Sequence, residues 1–285
     1  MKLFKNKASK KEYTRDMLPH NRREVFFDVL KLQWKSLLGL GGIVMLAFLP
    51  LIFCYAVENV SASIMLDNSS AAAGTPEYAA VLNQINMLSN IMAFVKIPFF
   101  ALLSVVLAGV ARVIRQHAYE ECVSFTYDFP EGVKQNAKSA VILALLTSLV
   151  GAVSYFAYGL RTVADGIFRY ICAFPIALYF VVFIPIAAVV AVLIPVYNNS
   201  FSRNMKWAVY IFAKKPLRII ISLVLSMSVF AISLVPGFIV GLVGLAVGAM
   251  LIPVAMLGFY LSVFDVLDEY INKDNFPEIV GKGTF

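Results

Sequence analysis

Few residues of this chain have the type and spacing that chemistry requires. The 285 residues include two histidines, His20 and His117, and three cysteines, Cys54, Cys122 and Cys172. A zinc site or a Ser-His-Asp arrangement needs several polar side chains at short range, and these five are dispersed, with no CxxC pair. No P-loop, dinucleotide fingerprint or HExxH motif occurs. We therefore predict no catalytic residue, metal ligand or cofactor and expect a non-enzyme, the alternative being a membrane enzyme with dispersed polar residues.

Lys96 is the remaining candidate for a functional residue within the membrane, where an ionisable side chain is costly. It lies about one turn inside a predicted span, near the outer end, where its aliphatic stem would let the ammonium group reach water. The position favours such snorkelling, and an ion or substrate site is the alternative. Asp265, Asp268 and Glu269 follow the last span and are expected to be solvated.

The composition is that of an integral membrane protein. Hydrophobic residues make up 60% and charged residues 14% of the chain, against about 45–50% and about 25% in soluble domains. The net charge is +7, but the charges lie in tails and in loops between apolar blocks, so we expect no nucleic-acid partner.

The apolar blocks define the elements on which any site must be built. A helix crosses a hydrocarbon core of about 30 Å with about 20 apolar residues, because it rises about 1.5 Å per residue. The last long block contains Pro236-Gly237, which favours a turn that divides it into two spans. The sequence thus predicts an all-α, polytopic membrane helix bundle with spans at 36–57, 91–114, 140–160, 170–197, 217–235 and 237–264.

Basic residues predict the orientation, because Lys and Arg are retained preferentially on the cytoplasmic side. The segment from Glu58 to Asn90 contains three acidic residues and no Lys or Arg, so it should lie outside. The 161–169 connection is the weakest point, since it would be external yet slightly basic. Residues 1–35, a basic tail with an interfacial helix, and the tail 265–285 should both be cytoplasmic, the former because of Lys2, Lys5, Lys7, Lys10, Lys11, Arg15, Arg22, Arg23, Lys31 and Lys35.

A weak internal repeat suggests how the spans are organised. Residues 28–37, 131–140 and 208–217 resemble one another in their lysines and apolar positions, and each precedes an odd-numbered span. This predicts three hairpins, each preceded by a short amphipathic interfacial helix; the alternative is that these segments are the ends of longer spans. The predicted membrane-interface residues are aromatic, apolar and basic: Phe26, Phe27, Leu30, Trp34, Lys35, Trp207, Tyr210, Lys214 and Lys215.

Proline and glycine recur in two spans. Three prolines, Pro175, Pro185 and Pro195, should kink the fourth span. Glycines at 237, 241, 244 and 248 let helices approach the sixth span closely. Such helices occur in carriers and more commonly in inert bundles, so the pattern favours packing over transport.

One segment runs from Gly109 through Glu121, Phe125 and Asp128 to Asn136, and another from Asn21 to Asp28. Both resemble segments of the YesL-like family, a group of uncharacterised membrane proteins from Gram-positive bacteria. The resemblance implies a bacterial plasma-membrane protein often encoded near carbohydrate ABC transporters, and it assigns no functional residues. We expect an accessory, scaffold or regulatory component of a transport system, with anionic lipid and ABC transporter subunits as partners; the alternative is a small-solute carrier or channel.

Overall fold

The computed structural model describes residues 19–69, 74–119, 121–162 and 164–284, which form helices and no β-strand. The basic residues from Lys2 to Arg15 therefore lie outside the described part. Two spans contain irregular segments, a π-helical turn at Tyr179–Phe183 and a 3-10 helix at Ser228–Leu234. The main helices are α1 Arg22–Leu32, α2 Trp34–Asn68, α3 Pro76–Val95, α4 Ile97–Ala118, α5 Phe125–Gly159, α6 Ile167–Leu178, α7 Ile184–Val196, α8 Phe201–Lys214, α9 Pro216–Met227 and α10 Phe238–Leu267.

Within the described residues, six helical segments are long and apolar enough to cross a membrane, which confirms the prediction of a helical integral membrane protein. Each contains, or nearly coincides with, one of the six apolar blocks: Trp34–Asn68, Pro76–Ala118, Phe125–Gly159, Ile167–Val196, Pro216–Leu234 and Phe238–Asn275.

The helices at the predicted outer side extend well beyond the predicted spans. Most of the described part of the connection expected from Glu58 to Asn90 is helical, since α2 continues to Asn68 and α3 begins at Pro76. No glycine or proline interrupts residues 58–68, so the helix continues past the apolar block. Thr75 caps α3 through its side-chain oxygen, which accepts a hydrogen bond from the Tyr78 N–H, and Pro76 follows at the first helical position.

A turn separates the fifth and sixth spans, as Pro236-Gly237 predicts. The 3-10 helix ends at Leu234 and α10 begins at Phe238. Gly237 has φ +128°, a conformation that side chains strongly disfavour. The glycines of α10 then allow close packing: a Cβ at Gly244 would lie 2.3 Å from the Ser233 nitrogen, and one at Gly248 would lie 2.2 Å from the Phe230 ring.

Separate short helices precede only two of the three odd-numbered spans. Helix α1 ends before a bend at Gln33, and α8 ends before Lys215, whose φ −137° and ψ 56° are non-helical. Lys215 precedes Pro216, and a residue before proline is disfavoured in the helical conformation. The second repeat, 131–140, lies instead within the continuous helix α5. The arrangement as three hairpin units stays a prediction.

Both ends of the described chain meet at one end of the bundle, which we call the basic end. It comprises α1, residues 119 and 121–128, α8 and residues 265–284. Arg22 donates a hydrogen bond to the Lys282 carbonyl, and Ser36 Oγ lies 3.2 Å from His117 Nε2. The opposite end contains residues 58–69, residues 74–96 and the region around Gly159.

Candidate functional site at the basic end

The best candidate for a functional site is a set of ion pairs that joins the first helix to the last residues of the chain. We call it the terminal network; it consists of Arg22, Arg115, Glu121, Asp265, Asp268 and Lys282. Arg22 lies at its centre. Its Nη2 is 2.9 Å from Asp268 Oδ2 and its Nε is 3.6 Å from Asp265 Oδ1. The Arg22 side chain is only 7% exposed, so its charge is stabilised by these partners rather than by water.

Asp268 is held by three segments of the protein. In addition to Arg22, it accepts hydrogen bonds from the Asn272 side chain at 2.7 Å and from the Gly281 N–H at 3.1 Å. The carboxylate therefore fixes the polypeptide that follows α10 against α1. The expectation that Asp268 is solvated is wrong, because its side chain is only 16% exposed.

A second part of the terminal network fixes the chain end against α4. Lys282 Nζ lies 2.5 Å from Glu121 Oε1, and Arg115 Nη2 lies 3.5 Å from Glu121 Oε2. Arg115 also donates a hydrogen bond of 3.0 Å to the Pro195 carbonyl at the end of α7. Four regions of the bundle are thus linked through charged groups.

Aromatic side chains pack beside the terminal network. Tyr119 stacks on Phe264 with ring centroids 4.9 Å apart, and Lys282 Nζ lies 5.0 Å from the Tyr119 centroid. Burial, reinforced by the nearby Asp268 carboxylate, raises the pKa of Tyr119 above its ordinary value near 10. Burial also raises the pKa of Tyr197, whose hydroxyl donates a hydrogen bond to Asn272.

Residues 109–118 of α4 and 125–136 of α5 form the crossing of these two helices. A Cβ at Gly132 would lie 2.7 Å from the Arg112 Cβ and 3.1 Å from the Gly109 Cα, so the two helices touch where they cross. Asp128 is buried beside this contact and accepts hydrogen bonds from the Gln116 side chain at 2.8 Å and the Ser124 N–H at 2.7 Å. These residues maintain the contact between α4 and α5.

The residues predicted at the membrane interface of the first helix include exposed and partly buried side chains. Phe27 is 65% exposed and Trp34 is 49% exposed. Lys35 is exposed as well, whereas Phe26 and Leu30 are partly buried. The buried face of α1 instead contains Arg22, Val25 and Val29, because this face packs against the protein.

The predicted interface residues of the third repeat also include both exposed and partly buried side chains. Tyr210 is 45% exposed and Lys214 is exposed, with its Nζ 5.5 Å from the Tyr210 ring centroid. Trp207 is partly buried and packs edge-on against Tyr197 at 5.2 Å, which places it in the protein rather than at a free surface. Lys215 forms an ion pair of 3.5 Å with Glu269; the hydrogen bond that Lys215 donates to the Tyr270 side chain and the charge of Glu269 raise the pKa of Lys215.

Lys96 forms an ion pair with an acidic residue of α2. Its ammonium group lies 2.6 Å from Glu58 Oε2, and the two side chains are 24% and 20% exposed. The extension of α2 past the predicted span brings Glu58 to this position. A half-buried cation is stabilised by such a partner.

The described residues contain no group of three His, Cys, Asp or Glu side chains that could hold a metal ion. No family model, curated protein or solved structure matches the chain.

Sequence reasoning missed the terminal network, since Arg22 was one of many basic residues before the first span. Opposite charges that flank the first and last spans were the available signal.

Proposed function

We propose that this integral membrane protein is a non-enzymatic accessory, scaffold or regulatory component of a bacterial transport system, with both termini in the cytoplasm. The observation that supports it is the folded basic end, in which ion pairs hold α1 and residues 265–284 against the bundle. A surface held in this way presents its unpaired cations at fixed positions to a partner. The exposed basic side chains around it include Arg23, Lys31, Lys35, Lys134, Lys138, Arg203, Lys206 and Lys214.

The orientation and the partner class rest on different arguments. Retention of Lys and Arg on the cytoplasmic side supports an inward-facing basic end. The resemblance of residues 109–136 to the YesL-like family supports a Gram-positive plasma membrane and ABC transporter subunits as partners. The same cations would attract anionic lipid, each contributing about 1 kcal/mol near the surface.

A small-solute carrier is the second candidate, and interrupted helices favour it. The fourth span contains a π-helical turn at Tyr179–Phe183, and the fifth ends in the 3-10 helix Ser228–Leu234. Discontinuous helices can line a substrate cavity in transporters. Against this reading, the glycines of α10 are occupied in contacts with Ser233 and Phe230.

Purification from the native membrane in mild detergent tests the proposal. We expect permease or ATPase subunits to co-purify with the protein, and the double variant Lys134→Gln/Lys138→Gln to lose them. Replacing Asp67 and Glu77, exposed acids at the opposite end, by the amides is the control and should retain the subunits. Solute flux through liposomes that contain the protein alone would contradict the proposal and favour the carrier.

A further inference from the structure

A groove at the basic end has the shape and chemistry of a lipid site. Its volume is about 1000 Å³, and it is enclosed by α1, α9 with the following 3-10 helix, and α10. It opens toward the side of the bundle, where Ile221 is 58% and Leu225 is 67% exposed. An occupant would therefore enter from the membrane.

Small side chains create this groove. On α9, Ser222 and Ser226 follow Arg218 at intervals of four residues, so the three lie on one face of the helix. On α10, Ala255, Gly258 and Ser262 form a matching face at intervals of three and four. Both faces line the groove. Because Ser222, Ser226, Ala255, Gly258 and Ser262 are small, the two helices leave space between them, and the serines provide hydroxyl groups to it.

Cations gather at one end of the groove and apolar residues at the other. Arg22, Arg23 and Arg218 line the mouth, where Asp265 is the acidic lining residue and pairs with Arg218 at 2.5 Å. Arg23 is exposed and forms no ion pair with the described residues, so its charge is available to an anion. Farther along, Val229 and Val254 line an uncharged part of the groove.

We propose that this groove binds one anionic phospholipid from the leaflet at the basic end. Its phosphate would accept hydrogen bonds from Arg23, Arg218 and the serine hydroxyls, since guanidinium groups suit phosphate geometry. Its acyl chains would lie against Ile221, Leu225 and Val229. The apolar length beside the arginines distinguishes a lipid from a free phosphate ion. This inference depends on membrane insertion and is independent of the proposed transport role.

Native mass spectrometry of the intact protein tests this site. The protein would be released from nanodiscs of phosphatidylcholine containing a minor fraction of phosphatidylglycerol. We expect one phosphatidylglycerol to be retained, and Arg23→Gln to lower its retention roughly five-fold, as the loss of one basic residue near a lipid surface predicts. Lys206→Gln removes an exposed charge from the same end but outside the groove, and should change retention less than two-fold.

Further measurements distinguish a lipid site from the alternative explanations. Ser226→Leu fills the groove without changing charge and should lower retention as strongly as Arg23→Gln, while the thermal unfolding midpoint verifies that each variant is folded. Inorganic phosphate at millimolar concentration should not displace the lipid. Equal retention by wild type, Arg23→Gln and Ser226→Leu, equal retention of phosphatidylcholine, or displacement by phosphate would each overturn the proposal.

Discussion

Arg22 and Asp268 lie 246 positions apart in the chain, yet their side chains form an ion pair of 2.9 Å. The pair joins the helix before the first span to the segment after the last. Asp268→Asn should destabilise the protein by about 3 kcal/mol, because the buried Arg22 then keeps only the more distant Asp265 as a carboxylate partner. Thermal and denaturant unfolding in detergent would measure the loss.

Asp274→Asn is the matched control for that variant. Asp274 is an exposed acid six residues farther along the same segment. The control should change stability by less than about 0.5 kcal/mol. Equal stability of Asp268→Asn and wild type would refute the importance of the terminal network.

The contact between α4 and α5 should not tolerate a methyl group. Gly132→Ala places its Cβ 2.7 Å from the Arg112 Cβ, so the helices must separate, at a cost of about 1–3 kcal/mol. Gly42→Ala in α2 meets nothing within 4 Å and should be neutral or slightly stabilising. Unfolding midpoints of the two alanine variants compare these effects. A stability of Gly132→Ala that matches Gly42→Ala would contradict the close crossing.

Glu58 and Lys96 should be energetically coupled. Glu58→Gln and Lys96→Met each leave one half-buried charge without its partner, so the double variant should lose less stability than the two single losses added together. We expect a coupling of about 1 kcal/mol in a double-mutant cycle. Glu58→Gln combined with Lys138→Gln, at opposite ends of the bundle, should be additive. A coupling of zero for Glu58 and Lys96 would mean that the pair makes no contribution.

Stability should fall at alkaline pH partly through Tyr119. The pKa of this buried phenol is raised in the folded protein, whereas in the unfolded chain it ionises near pH 10. The contribution of this phenol to the free energy of unfolding is therefore complete below pH 10. It is lost as the pH rises from 10 toward the pKa of the folded protein. Between pH 8 and pH 11 the ionisation of Tyr119 should lower the free energy of unfolding by about 1 kcal/mol, and Tyr119→Phe should abolish this part of the pH dependence. Tyr127→Phe replaces a phenol that is 65% exposed and should leave the pH dependence unchanged.

Native Cys122 reports which side of the membrane the basic end occupies. It is exposed, whereas Cys54 is buried. An impermeant maleimide should label Cys122 in inverted vesicles and not in intact cells, and Cys122→Ser should remove that labelling. Asp67→Cys in a Cys122→Ser background should show the opposite pattern. Labelling of Cys122 in intact cells would reverse the proposed orientation.

The number of spans could be predicted from the sequence, because each crossing needs its own apolar block and Pro236-Gly237 divides the longest one. The helix ends could not. The length of an apolar block reflects the thickness of the hydrocarbon core, whereas a helix continues until a residue such as Gly237, or the one before Pro216, interrupts it. For that reason α2 extends beyond its predicted end and brings Glu58 to Lys96.

The candidate site was harder to predict than the spans. Pairing of Arg22 with Asp268 depends on how α1 packs against α10, and helical spacing within one segment says nothing about a contact between distant segments. The Gly109 to Asn136 segment could be singled out by its resemblance. Its physical reason, the contact of Gly109 with Gly132, becomes visible only where α4 crosses α5.

The attachment of Lys282 to Arg22 and Glu121 has a consequence for biosynthesis. Ribosomes complete the first helix long before the residues that neutralise its buried guanidinium exist. Until the final helix has entered the bilayer and the last residues have emerged from the exit tunnel, Arg22 must remain hydrated or bound to another molecule. A chain that ends before Asp265 would leave this guanidinium without its carboxylate partners.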